Sequence, residues 1–170
     1  MKALFIFFMA VGILSVGAAD DISFSVIRKT AERSKTRERI NATVEKKQIV
    51  YTVKVTSRAF RPIEKALISY NIYYETQQFG STAKAQIQTL AGKTELENLL
   101  PGKTVEFDTD PIDLTTATLD GNWYFSSGAG SQSKDKIVGT WIKATDSEGK
   151  DLADYRQPSN VDSKRKWQEP

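Results

Sequence analysis

Ile49-Val50-Tyr51-Thr52-Val53-Lys54-Val55-Thr56 places Ile49, Tyr51, Val53 and Val55 on one side of an extended backbone. That period of two constrains the chain more than any other feature. Successive side chains of a strand point to opposite faces, whereas a helix presents one face about every 3.6 residues. The same alternation recurs in Ile22-Ser23-Phe24-Ser25-Val26 and in Ile40, Ala42 and Val44, with Glu45-Lys46-Lys47-Gln48 expected as a polar turn. It returns in Ala66 to Tyr74, whose Ala66, Ile68, Tyr70, Ile72 and Tyr74 share a face. Ala85–Leu90, Val105–Phe107, Trp123–Phe125, Ile137–Thr145 and Leu152–Tyr155 complete the expected strands. Between Thr94 and Leu100 a short helical turn is expected, stopped by Pro101-Gly102. About eight short strands with hardly any helix predict an all-β, antiparallel sandwich or barrel.

The first residues follow a different rule. Lys2 precedes an apolar stretch from Ala3 to Val16, and Gly17, Ala18 and Ala19 follow before Asp20-Asp21. A basic head, an apolar run and a small-residue site make a secretory signal peptide; the apolar run is short for a bilayer span, which takes about 20 residues. The expected organisation is a signal peptide over 1–19, a β-sandwich domain over 20–157 and a polar, flexible tail over 158–170. No transmembrane span is expected in the mature chain, and the expected localisation is exported, periplasmic or secreted. Asn41-Ala42-Thr43 matches the N-glycosylation sequon, which matters only in a glycosylating host.

Composition removes most chemistry. The chain has no His and no Cys. Ser-His and Cys-His dyads, disulfides, and thiolate or imidazole zinc sites are therefore excluded. Carboxylates remain, and Asp108, Asp110 and Asp113 cluster around Pro111. Three such groups suit either a hard cation or a small carboxylate-based hydrolase, although Asp is also an ordinary turn residue. Ser-x-x-Lys spacings at Ser81/Lys84, Ser131/Lys134, Ser133/Lys136, Ser147/Lys150 and Ser163/Lys166 recur too often to single out a nucleophile. No metal, no cofactor and no catalytic residue is expected.

The Tyr-rich strand Ala66–Tyr74, the connection Leu99-Leu100-Pro101-Gly102-Lys103-Thr104-Val105-Glu106-Phe107 and the segment Gly139-Thr140-Trp141-Ile142-Lys143-Ala144-Thr145-Asp146 resemble small bacterial exported immunoglobulin-like domains. The resemblance spans roughly the last two-thirds of the mature chain and implies an immunoglobulin-like sandwich of the type without paired Cys. A fold of that kind does not specify function.

Two features suggest surfaces. Arg28, Lys29, Arg33, Lys35, Arg37 and Arg39 fall close together, opposed by Glu32 and Glu38, and Lys164-Arg165-Lys166 adjoins Trp167. Such patches suit polyanions or form a solvated inter-strand loop. The formal net charge is +3, and removal of Lys2 with the signal lowers it by one. So small an excess, with export, argues against nucleic acid as the partner. Trp123 and Tyr124, beside a Gly/Ser loop, are the aromatics best placed to meet a sugar or a protein, whereas Trp141, Tyr51 and Tyr70 are expected in the core. The expected function is a non-enzymatic binding or structural module of the cell envelope, recognising a protein through loops or edge strands. A carbohydrate- or polyanion-binding module is the alternative, and the small hydrolase a second one.

Overall fold

The computed structural model describes residues 20–38 and 41–170. The expected signal segment 1–19, Arg39 and Ile40 lie outside the described residues. Among the described residues nine strands form two antiparallel sheets: β1 (Ile22–Glu38), β2 (Ala42–Ser57), β3 (Ile63–Thr76), β4 (Gln86–Leu99), β5 (Thr104–Asp108), β6 (Ile112–Leu119), β7 (Gln132–Lys134), β8 (Lys136–Asp146) and β9 (Asp151–Gln157). The only helix among the described residues is one turn, α1 (Val161–Lys164). No described helix is long and apolar enough to cross a membrane.

The first sheet runs β1-β2-β6-β7, with β5 also paired to β2; the second runs β4-β3-β8-β9. β2 is long enough to serve two partners, its first half pairing β6 (Ala42↔Leu119 to Ile49↔Ile112) and its second half β5 (Thr52↔Asp108 to Thr56↔Thr104). The alternating residues of both sheets meet in one core: Ile49, Tyr51, Val53, Val55, Ile112 and Leu114 face Ala66, Ile68, Tyr70, Ile72, Ile142 and Ala144. Burying such branched side chains from both inner faces is the main apolar gain of a sandwich. The all-β, two-sheet expectation is met.

Several local expectations are not. Glu45–Gln48 is no turn but the middle of β2, where Lys46 and Lys47 pair with Ser34 and Arg33 of β1. Thr94–Leu99 is strand and not helix: Glu95 and Glu97 oppose Leu67 and Lys65 while Leu96 is buried beside Ala66. Pairing with β3 overrides the helix preference of Leu and Glu. Trp123–Phe125 lies in a loop closed by positive-φ Gly121 and Gly128. β6 was not anticipated, because its Thr115-Thr116-Ala117-Thr118 stretch has little apolar contrast to read.

The tail expected to be flexible returns to the protein. Residues 158–168 lie against the outer face of the β4-β3-β8-β9 sheet, where Val161 is buried against Tyr73 and Trp141 and Trp167 packs beside them. Trp141 is therefore buried as expected, but outside the inter-sheet core.

Candidate functional site

The basic run expected as a loop is the edge strand of the first sheet. β1 extends 17 residues and pairs only with β2, so one side of its backbone has no sheet partner among the described residues. A register shift between Thr30 and Glu32 leaves Ala31 unpaired, and an extra residue of this kind switches the side-chain parity. Arg28 opposes Tyr51, while beyond the bulge Arg33, Lys35 and Arg37 oppose Lys47, Glu45 and Thr43. All four of those β2 partners are odd-numbered, so Arg28, Arg33, Lys35 and Arg37 share one face, and Lys29, opposite Val50, lies on the other.

Charge on that face is partly balanced. Glu45 Oε1 lies 2.6 Å from Arg33 Nε and 3.0 Å from Lys47 Nζ, and Arg37 lies 3.1 Å from Asp120. The Lys47 and Arg33 hydrogen bonds hold the Glu45 carboxyl below its ordinary value. Arg28 and Lys35 have no carboxylate within ion-pair distance among the described residues. The cationic partners of these pairs are exposed while Glu45 and Asp120 are largely covered, which leaves the strip's outer surface basic.

Arg28 also lines a cleft of about 360 Å³ between β1 and the β8–β9 side of the second sheet. Val26, Tyr51, Ile137 and Tyr155 form its walls. Burial, with the neighbouring Tyr51 phenol, pushes the Tyr155 hydroxyl up from its ordinary value, so it stays neutral and able to donate. A cleft of mixed polar and apolar lining, bounded by an unpaired strand edge and a free guanidinium, has the form of a site for an extended chain. The bulge and the cleft were not foreseeable, since neither leaves a signature in the spacing of residues.

Trp123 and Tyr124 lie elsewhere. They are 62% and 83% exposed, in the β6–β7 loop, which leaves the sheet at Asp120. That residue is gripped by Arg37 and by the Thr43 hydroxyl at 2.8 Å. On its other side the loop is anchored by Phe125, edge-on to Phe79 at 5.1 Å between ring centroids. Gly80 permits this contact, for a Cβ there would come within 2.9 Å of the Phe125 ring. The structure thus brings Arg37 and the aromatic loop to one end of the first sheet, and leaves Arg28 with the cleft.

The three aspartates go to three different partners. Asp108 accepts from the Thr52 hydroxyl at 2.5 Å, Asp113 from Gln48 Nε2 at 3.2 Å, and Asp110 from the Tyr70 hydroxyl at 3.2 Å. The Tyr70 hydroxyl in turn accepts from the Asp110 backbone N–H. Each carboxylate ties a different pair of strands, β5 or β6 to β2 within one sheet and the β5–β6 corner to β3 of the other, and among the described residues no three metal-ligating side chains converge.

No protein-family model matches the chain, and no curated protein matches it. Among solved structures it is similar to the protein assigned as ApaA from Bordetella pertussis, with 14% identity, 80% of this chain and 91% of that chain covered, and a TM-score of 0.37. It is similar to the structural-genomics target SoR45 at 11% identity, 80% and 85% coverage and a TM-score of 0.36. A Bacteroides uniformis β-glucuronidase aligns at 12% identity over 77% of this chain but 12% of the enzyme, with a TM-score of 0.35.

Proposed function

We propose that the protein is an exported, non-catalytic recognition module of the cell envelope, an immunoglobulin-like sandwich that binds an extended, acidic polypeptide segment by strand addition along β1. One observation carries this reading: the unpaired edge of β1 has Arg28, Arg33, Lys35 and Arg37 along a single face, beside the cleft of Val26, Tyr51, Ile137 and Tyr155. Main-chain hydrogen bonds to an open edge supply affinity, and alternate side chains supply specificity. Here the alternate positions favour carboxylates toward the basic face and an apolar residue in the cleft. The same charges repel a second β1 edge, which keeps the strand from pairing with itself. The apolar segment after Lys2 supports export, and the partition of strands into β1-β2-β5/β6 and β4-β3-β8-β9 supports the immunoglobulin-like assignment.

Panning the full chain against a displayed library of random twelve-residue peptides tests the reading. Enriched peptides should alternate acidic with β-branched residues, and should protect β1 amides from hydrogen exchange. Arg28→Glu with Arg33→Glu should weaken them about tenfold or more, with steep salt dependence. Protection confined to residues 120–130, or no enrichment, would sink it.

A second reading has its own observation, the exposure of Trp123 and Tyr124 next to Arg37. Flat exposed aromatics stack on sugar rings, so this end would bind an acidic glycan. On a glycan array the wild type should then bind sugar acids and Trp123→Ala should lose most of the signal; an array with no wild-type binding removes the reading.

A further inference from the structure

We propose that the outer face of the β4-β3-β8-β9 sheet is a recognition site for an extended polypeptide segment carrying a tryptophan, and that residues 158–170 occupy it in cis. This face lies on the far side of the second sheet from the β1 edge and adjoins the β1–β9 cleft at Val138, Gly139 and Pro158, and the inference does not depend on the function proposed above.

The occupant is visible and its contacts divide by kind. Tyr73 donates its hydroxyl to the Lys166 carbonyl at 2.9 Å, and Asn71 Nδ2 donates to the Gln168 carbonyl at 3.0 Å. Asn71 and Tyr73 are two apart on β3, and the two carbonyls are two apart on the tail. That is the spacing at which an extended chain repeats its main-chain groups on one side. Every peptide has such carbonyls, so these bonds set where the backbone lies and not which sequence lies there.

Sequence is selected by the residue between them. Trp167 meets Trp141 edge-on at 5.3 Å between centroids. Lys143 Nζ lies 4.7 Å from the Trp167 ring and 5.0 Å from that of Trp141, and the Arg156 guanidinium lies 4.8 Å from the Trp141 ring. The Lys143 ammonium and the Trp141 indole, itself stacked under Arg156, define a place for a second electron-rich ring, and tryptophan is the side chain that gains most from such a cation. Trp141 is fixed for this role by its Nε1–H, which donates to Asp154 at 2.9 Å.

An independent observation marks the tail as an incomplete occupant. Asn71 is fully buried, yet its Oδ1 has no hydrogen-bond partner. A primary amide offers a donor and an acceptor side by side, the pair that an extended backbone complements with its C=O and N–H. The tail satisfies only the donor. A segment whose N–H also reaches Oδ1 would satisfy both, and would compete with residues 165–170 for the face. Val161, seated where a Cβ on Gly139 would come within 2.5 Å of its Cγ2, and Asp162, paired with Arg156, hold the preceding turn. The end can therefore lift while α1 stays docked.

The test uses the full chain and a fluorescently labelled peptide with the sequence of residues 161–170. Trp167→Ala should bind the peptide about tenfold or more tightly than wild type, because the cis competitor is weakened. Replacing the peptide's tryptophan by alanine, or adding Trp141→Ala to the protein, should abolish binding, with hydrogen exchange in β3 reporting that the sheet remains folded. Equal affinity for wild type and Trp167→Ala would overturn the proposal. So would no binding to a folded Trp167→Ala protein.

Discussion

Truncating Ile72 to alanine should lower the unfolding free energy by about 2–5 kcal/mol, the range for removing a buried branched side chain from a packed core. Ile72 has no exposed surface and sits mid-sheet on β3, between Leu90 of β4 and Thr140 of β8. Both neighbouring strands are held by ladders on their other residues, so the sheet cannot close over the space. The loss is therefore transfer plus cavity. For a chain of this size each kcal/mol lowers the melting temperature by about 2–4 °C. Urea denaturation should show a lower midpoint at unchanged slope. Ile27→Ala is the control. Ile27 is 43% exposed on β1, so the same kind of truncation should stay within about 0.5 kcal/mol. A large loss at Ile27 or a small one at Ile72 would show that the inter-sheet core is not where the stability lies.

The contrast between those two isoleucines also explains what could be read from the sequence. Alternation is legible where one face of a strand is dry and the other wet. Ile49, Tyr51, Val53 and Val55, and Ala66, Ile68, Tyr70, Ile72 and Tyr74, are placed on the core face for that reason; all are buried except Tyr74, which is half-buried against the core where the pairing with β8 shifts register. The outer half of β1 has no such contrast, because every residue from Ile27 to Arg37 is exposed. A strand solvated on both faces has no apolar parity, so a row of Arg and Lys on a sheet edge looks like a charged loop. The bulge at Ala31, which gathers Arg28 with Arg33, Lys35 and Arg37, is a property of pairing and not of composition.

The outer face of the second sheet failed for a related reason. Alternation puts Tyr73 on the face opposite Tyr70 and Tyr74, which a half-buried strand would turn to water. It is covered by Val161 and Trp167, two apolar residues in an otherwise polar segment, too few to carry a period. Long-range docking of this sort is legible only when both surfaces are known. The aromatic loop was partly legible: Trp123 and Tyr124 were singled out for exposure beside a Gly/Ser stretch, and they are exposed. The expected strand there was wrong because the glycines on either side turn the chain at positive φ.

Gly92→Ala should destabilise the protein, against the usual sign of such a change. In a strand interior alanine is favoured over glycine by about 0.5–1 kcal/mol, so a Gly92 without a special role would gain from substitution. Gly92 lies directly across from Tyr70. A Cβ there would overlap the Tyr70 hydroxyl and Cζ and come within 2.9 Å of Cε2. The ring cannot step aside freely, since its hydroxyl both donates to the Asp110 carboxylate and accepts from the Asp110 N–H. Moving it would break the link that ties the β5–β6 corner of one sheet to β3 of the other. Overpacking of this kind costs about 1–3 kcal/mol, which exceeds the propensity gain and fixes the net sign. The cause can be isolated in a double-mutant cycle. In a Tyr70→Ala background, itself destabilised by the lost ring, adding Gly92→Ala should be neutral or stabilising, a coupling of about 1–3 kcal/mol for residues in contact. If Gly92→Ala costs the same in both backgrounds, the close approach of Tyr70 to the β4 backbone is not the reason that glycine occupies this position.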